Sequence, residues 1–280
     1  MILRSLVNRA WWSVSVLCLL AAIAILFVVF AFVAIRGFPA LRPQIFFTVT
    51  SGIAGGLANA IVGTFLLVSV GLLIVTLVGL GTAIWVVEFA PPWGKSTVRF
   101  AIDILSGVPS IVVGYFLYVA LVEALGWGFS LMAGALALAI FMLPYVVRAA
   151  DIALSKVPQA MREGAFALGA RPATVVFSIA FPWAAPGILT GLLVATGIGL
   201  GETAPLIYTA GWSSFMPSLA PTHSPVGYLT YVVWTYISQP FAKSHELAYA
   251  AALLLMIFIF TTNLLARSFL EYGLSNRGRR

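Results

Sequence analysis

Residues 162–182 read REGAFALGARPATVVFSIAFP, a charged and small-residue segment that lies between two long apolar stretches. Arg162 and Glu163 begin the segment, Gly169 permits a turn, and Pro182 opens the next apolar stretch. A chain that only has to reside in lipid has no use for such an interruption. The pattern predicts a short helix on the membrane surface, where a soluble partner can dock.

Composition defines the protein class around this segment. Hydrophobic residues make up 62% of the chain and charged residues 8%, with a mean hydropathy of +1.08; a soluble domain carries about 25% charged residues. A helix needs roughly 20 apolar residues to cross a bilayer. We therefore predict an all-α fold, a polytopic membrane protein with six transmembrane helices. The predicted spans are 13–35, 59–87, 104–125, 129–147, 183–206 and 247–268.

The positive charges predict the orientation. With six spans, both termini lie on the same side as the 148–182 loop. Twelve of the 15 Lys and Arg residues fall on that side, and such an excess marks the cytoplasmic face. These twelve are Arg4, Arg9, Lys95, Arg99, Arg148, Lys156, Arg162, Arg171, Arg267, Arg277, Arg279 and Arg280. The other side holds only Arg36, Arg42 and Lys243.

These boundaries divide the chain into three parts. We expect a cytoplasmic N-terminus at 1–12, a transmembrane domain at 13–270 and a cytoplasmic basic tail at 271–280. Within the domain, the loop at 148–182 is cytoplasmic and the loop at 207–246 faces outward. The predicted location is the plasma (inner) membrane, multi-pass. The net charge of +7 then serves contact with anionic lipid and gives no indication of nucleic acid.

The outer loop contains a further apolar segment at 226–238, VGYLTYVVWTYIS. At about 13 residues it is too short to span the bilayer. We expect a short interfacial helix that holds Tyr228, Tyr231, Trp234 and Tyr236 at headgroup depth. A re-entrant segment is the alternative.

Two segments inside the predicted spans are candidates for a translocation path. In the fifth span, small residues recur every four positions and allow close helix packing: Gly187, Gly191, Ala195 and Gly199. Glu202 and Thr203 follow, and a carboxylate at membrane depth either lines a path or forms a structural pair. In the third span, Ser106, Pro109 and Ser110 mark a helix break, because proline lacks a backbone donor.

Enzymatic motifs are missing from the sequence. Gly94-Lys95-Ser96-Thr97 ends like a phosphate-binding loop, but Phe89 stands where that loop needs its first glycine. His223 and His245 have no ligand at metal-binding spacing. We therefore expect no catalytic residues, no metal, no cofactor and no ATPase site in this chain.

The opening segment also carries a family signature. Glu163, Gly164, Ala165 and Gly169, followed by Ile179 and Pro182, match the spacing of the cytoplasmic-loop pattern E-A-A-x-x-x-G, nine residues, I-x-L-P. This pattern resembles that of type I ABC importer permeases. IWVVEFAPPWGKSTVRFAIDILSGVPSIVVGYF (84–116) and GETAPLIYTAG (201–211) look more specifically like PstA-type permeases of phosphate importers. The resemblance covers roughly residues 60–270.

The resemblance implies a function and a set of partners. The fold would be that of a type I ABC importer permease, and residues 160–172 would form the helix that couples to an ATPase. Residues Arg162, Glu163, Gly164, Ala165, Gly169 and Arg171 map onto this helix. The expected partners are a PstC-type permease, two copies of a PstB-type ATPase, which binds the ATP, and a PstS-type external phosphate-binding protein.

The sequence departs from the family pattern at one position. Family members commonly carry Arg four residues before the Glu of GETAP, where Ile198 stands here. Either the partner permease supplies a cation or this chain handles its anion differently. Other oxyanions (sulfate, molybdate, tungstate or a phosphonate) are therefore alternative substrates, and a non-transporting membrane scaffold is the alternative function.

Overall fold

The computed structural model describes residues 2–277, with side chains described over 7–9 and 11–269. The predicted basic tail at 271–280 lies outside the residues whose side chains are described. Helices dominate, and a two-residue antiparallel hairpin pairs β1, Thr50–Ser51, with β2, Ala54–Gly55. The helices are α1 Ile2–Gly37, α2 Gln44–Phe47, α3 Ala58–Ile84, α4 Pro92–Gly107, α5 Ser110–Leu117, α6 Leu131–Ser155, α7 Gln159–Ala167, α8 Pro172–Thr174, α9 Phe181–Gly201, α10 Ala204–Thr209, α11 Leu229–Tyr236 and α12 Ala242–Arg277. Three wider π-helical stretches, Trp85–Phe89, Tyr118–Ala124 and Val175–Ala180, extend α3 and α5 and precede α9.

Within residues 2–277, five helical segments are long and apolar enough to cross a membrane. They are Val7–Ala40, Ala58–Phe89, Leu131–Ser155, Pro172–Gly201 and Ala242–Phe269. The bent pair Pro92–Gly107 and Ser110–Ala124 provides a sixth if the two count as one span. The predicted all-α polytopic fold is confirmed.

The third predicted span, 104–125, is not one straight helix. α4 and the helix that begins at Ser110 meet at an angle of 98°. Pro109 removes a backbone donor and disfavours a helical conformation at the preceding residue, so Val108 is extended, with ψ at 126°. Residues 92–103, expected in a loop, are helical and belong to α4.

The loop predicted at 148–182 is shorter than expected. α6 continues to Ser155, and the next span begins at Pro172. The predicted fourth span ends at residue 147 because the residues that follow include the charged Arg148 and Asp151. Both side chains instead form ion pairs with α4, so the helix continues past them.

The core lies where α3, α6 and α9 pack together, and α12 packs against the far side of α9. The predicted stripe of small residues explains how closely α6 and α9 approach. A methyl group added to Gly187 would lie 2.9 Å from the Cβ of Ala153, and one on Gly191 would overlap Ala149. The predicted close packing of the fifth span is confirmed.

The short helix predicted within 226–238 is α11, which packs against α12 and α3. Its aromatic residues are placed differently from the prediction. Tyr228 and Tyr236 are buried inside the protein, and the Tyr236 hydroxyl donates a hydrogen bond of 2.7 Å to the carbonyl of Gly52. Trp234 remains exposed. α11 is therefore part of the protein interior on this side of the bundle.

Candidate docking helix and translocation surface

The predicted surface helix is α7, and its two ends have clear local causes. Pro158 precedes Gln159 and lies in an extended conformation with ψ at 132°, which suits the residue before a helix. At the other end Gly169 adopts a φ of +80°, a left-handed conformation that glycine reaches without strain. Backbone amides of Leu168, Gly169 and Ala170 donate to carbonyls in the last turn of α7. The predicted turn at Gly169 is confirmed.

One face of α7 lies open. Ala165 is buried against the bundle, whereas Glu163 and Gly164 are exposed. Phe166 is exposed as well, and Leu168 is 91% exposed. Apolar side chains presented on a short polar helix are typical of a surface that a partner protein covers. Arg171, predicted for the same surface, is exposed at the start of α8.

Arg162 points in the opposite direction, into the bundle. Its Nη1 donates to Oε2 of Glu88 at 2.6 Å, and its Nη2 donates to the carbonyl of Leu154 at 2.8 Å. The two charged side chains are 18% and 9% exposed. Arg162 therefore joins α7 to the ends of α3 and α6. The sequence assigned Arg162 to the docking surface and gave no signal for Glu88, because 74 residues separate the two.

The predicted path residues Ser110 and Glu202 are brought together. The side chain of Ser110 lies close to the carboxylate of Glu202. Glu202 lies at the break between α9 and α10, and its backbone carbonyl accepts a hydrogen bond of 2.8 Å from the hydroxyl of Thr230. Thr203 occupies the position before α10. The helix break at Glu202 thus faces the start of α5.

Ser106 is not part of this group. Its hydroxyl donates to the carbonyl of Asp103 at 2.7 Å, on the other side of the break at Pro109. Pro109 itself precedes the first residue of α5. α5 and α10 pack closely, since a methyl group added to Gly114 would overlap Pro205.

An exposed surface continues along α5 from this group. Ile111, Val112, Tyr115 and Phe116 are all exposed, and no element among the described residues covers them. Tyr115 and Tyr208 pack edge to face at 5.9 Å between ring centroids. The sequence does not indicate this surface, because the apolar residues of α5 have no helical periodicity that separates one face from another.

The fold and these two surfaces define the class of protein: a helical membrane protein with a short, exposed helix outside its bundle and an uncovered surface beside the carboxylate at a helix break. The family model for the inner membrane component of binding-protein-dependent transport systems matches residues 76–271. The chain belongs to this family.

Relatives within the family include PstA-type permeases. The chain is 43% identical to phosphate transport system permease protein PstA 2 of Mycobacterium tuberculosis, over 91% of this chain and 85% of the relative. It is 35% identical to phosphate transport system permease protein PstA of Pasteurella multocida, over 95% of each chain. The resemblance to PstA-type permeases is confirmed.

A solved structure shares the fold. A chain from inward-facing conformations of the MetNI methionine ABC transporter superposes with a TM-score of 0.64, covering 78% of this chain and 95% of that chain. The sequence identity is 17%, so the likeness concerns the fold alone. The predicted type I ABC importer permease fold is confirmed.

Proposed function

We propose that this chain is a transmembrane permease subunit of an ATP-driven importer that carries inorganic phosphate into the cytoplasm. The observation that carries the proposal is the identity of 43% to a phosphate transport permease over 91% of the chain. The chain contributes the path for the ion and has no ATP site of its own. A partner subunit binds and hydrolyses the ATP.

The structure supports a defined route for the coupling force. The ATPase would dock on α7, where Phe166 and Leu168 are exposed and Glu163 lies on the open surface. Movement of α7 would reach the bundle through Arg162, whose guanidinium contacts Glu88 at the end of the second span and the Leu154 carbonyl near the end of α6. In this proposal Arg162 transmits the movement and Glu163 belongs to the docking surface.

The uncovered surface of α5 supports a second permease as partner. Glu202 and Ser110 lie at its edge, and a carboxylate at membrane depth needs water or protein around it. We propose that a PstC-type permease covers this surface, with the path between the two subunits. Two PstB-type ATPases and a PstS-type binding protein complete the importer. Both termini and α7 lie on the cytoplasmic side.

Uptake measured in vesicles that hold the complete importer tests the substrate. Labelled phosphate enters only with ATP and binding protein, and an excess of unlabelled sulfate or molybdate leaves its uptake unchanged. Displacement of the label by sulfate or molybdate would contradict phosphate as the substrate. Absence of any ATP-dependent oxyanion uptake by the assembled complex would contradict transport itself and favour a scaffold.

A further inference from the structure

Two ion pairs join α4 to α6, and they differ in construction. In the first, Arg99 donates from Nε and from Nη2 to the two carboxylate oxygens of Asp151, each at 2.9 Å. The Asp151 side chain is 9% exposed and also accepts from the hydroxyl of Ser155 at 3.2 Å. A bidentate pair with a buried carboxylate has a fixed geometry and holds the two helices together.

The second pair, Arg148 with Asp103, is open. A single nitrogen of Arg148, Nη2, contacts a single oxygen of Asp103, Oδ1. Both side chains are 51% exposed. A guanidinium carries five N–H donors in a planar fork, so this contact leaves most of the binding capacity of Arg148 available.

A cavity of about 390 Å³ lies beside this pair, between α4 and α6. Asp103, Ser106, Pro144, Tyr145 and Arg148 are among its lining residues, and Arg148 is its one cationic residue. A water molecule occupies about 30 Å³ of liquid volume, so the cavity has room for a tetrahedral oxyanion together with several waters. It therefore combines adequate room with a guanidinium that has unused donors.

The exposed charges of the pair argue against lipid as its surroundings. Arg148 lies seven residues before Ser155, the end of α6, which places it about 10 Å inside the helix at 1.5 Å per residue. A half-exposed ion pair is costly in hydrocarbon. The open side of the pair therefore faces water or a partner protein.

We propose that Arg148 and Asp103 form an exchangeable oxyanion site in the inner half of the translocation path. The carboxylate of Asp103 pairs with the guanidinium of Arg148 when the site is empty, and an arriving oxyanion displaces this carboxylate. Displacement leaves Asp103 nearby as a repelling charge, which keeps binding weak enough for release to the cytoplasm. The site rests on the proposed function, because it requires a transported oxyanion.

Thiol protection in the assembled importer tests the site. In a Cys18→Ser background, Ser106→Cys places a reporter at the cavity, and a cationic membrane-impermeant methanethiosulfonate is added to inside-out vesicles without nucleotide. We expect the reporter to react, and millimolar inorganic phosphate to slow the reaction. The matched control is Ser96→Cys, at an exposed serine near the start of the same helix α4 and outside the cavity, which reacts at a rate that phosphate does not change.

Changes to the pair separate a binding role from a structural one. With Asp103→Asn the competing carboxylate is gone, so the protecting phosphate concentration falls about tenfold, as expected for loss of one charge-assisted competitor. Arg148→Gln abolishes protection, and Arg148→Lys keeps part of it. If the ion pair is purely structural, Asp103→Asn will not lower the phosphate concentration needed for protection. If Arg148→Gln prevents assembly, Arg148→Gln combined with Asp103→Asn replaces it, because the pair is then neutral and protection must still be lost.

Three outcomes overturn the site. An unreactive Ser106→Cys would show that the cavity is not aqueous, and protection that survives the loss of Arg148 would place the anion elsewhere. Phosphate uptake by the wild-type complex without protection of Ser106→Cys would remove the site while the proposed function stands. Sulfate uptake together with protection by sulfate would preserve the site and remove phosphate as the substrate.

Discussion

Arg162 lies where three elements meet, and its contacts explain how a surface helix is held by a bundle. It belongs to α7, its Nη1 donates a hydrogen bond to Glu88, and its Nη2 donates one to the Leu154 carbonyl. The second oxygen of Glu88, Oε1, is buried and has no hydrogen-bond partner among the described residues. Glu88 therefore depends on Arg162 for compensation of its charge.

Replacing Arg162 tests this dependence. Removing one partner of a buried ion pair costs about 3–5 kcal/mol, since the remaining charge is left without compensation. We expect Arg162→Gln to lower the thermal midpoint of the purified importer and to abolish uptake, and Arg162→Gln with Glu88→Gln to recover part of the midpoint. Arg171→Gln, an exposed arginine in the same loop, is the control and leaves the midpoint unchanged. Equal effects of the two single changes would contradict an inward role for Arg162.

The packing of α6 against α9 depends on residues without large side chains. Gly187 and Gly191 of α9 face Ala153 and Ala149 of α6, so the two helices approach more closely than larger residues would permit. Gly81 of α3, by contrast, has open space around it. Glycines within long apolar stretches of the sequence thus differ in whether they contact a neighbouring helix.

This difference predicts unequal effects of one substitution. Gly191→Val must push α6 and α9 apart, and overpacking of this kind costs about 1–3 kcal/mol. Gly81→Val meets no neighbour. We expect the thermal midpoint of the purified importer to fall for Gly191→Val and to stay within error for Gly81→Val. A midpoint for Gly191→Val equal to the wild type would show that the helices are less closely packed than the structure has them.

In the proposed function the ATPase acts on α7, and a substitution at the exposed Leu168 tests this role. Leu168→Glu places a charge in the apolar part of the docking surface, so we expect the purified permease to lose its ATPase subunits. Leu125→Glu, the same substitution at an exposed leucine at the opposite end of the bundle, is the control and retains them. Retention of the ATPase by Leu168→Glu would move the docking surface away from α7.

For the whole chain, the distribution of positive charge and the number of membrane crossings indicate the same orientation. Most Lys and Arg residues are expected at the end of the bundle where α6 ends and α7 lies. Arg36, Arg42 and Lys243 belong to the opposite end. An excess of cations in short loops indicates the cytoplasmic side. The bent pair of α4 and α5 must count as one crossing for both termini to share that side.

Labelling from each side of the membrane tests this orientation. In a Cys18→Ser background, Leu168→Cys on α7 and Phe215→Cys in the outer loop are both highly exposed. A membrane-impermeant thiol reagent should label Phe215→Cys in intact cells, and Leu168→Cys only in inside-out vesicles from which the ATPase subunits have been removed. Labelling of Leu168→Cys from outside would separate α7 from any cytoplasmic ATPase and contradict the proposed coupling.

Local patterns were sufficient for the class and most of the elements. A run of apolar residues must become a helix in lipid because its backbone groups have no other partner, and Pro109 and Gly169 act on their immediate neighbours. These features are encoded within a few residues, so α7, its turn and the break before α5 were predictable. The signature at Glu163, Gly169 and Pro182 identified the family for the same reason.

Contacts between distant residues had to come from the folded chain. The bonds of Arg162 to Glu88 and of Arg148 to Asp103 join positions 74 and 45 residues apart. A charged residue carries no mark of which partner it will meet, because that depends on how helices pack and rotate. For this reason α6 extends beyond the point where its charges suggested an end, and Arg162 faces the bundle while its neighbour Glu163 faces outward.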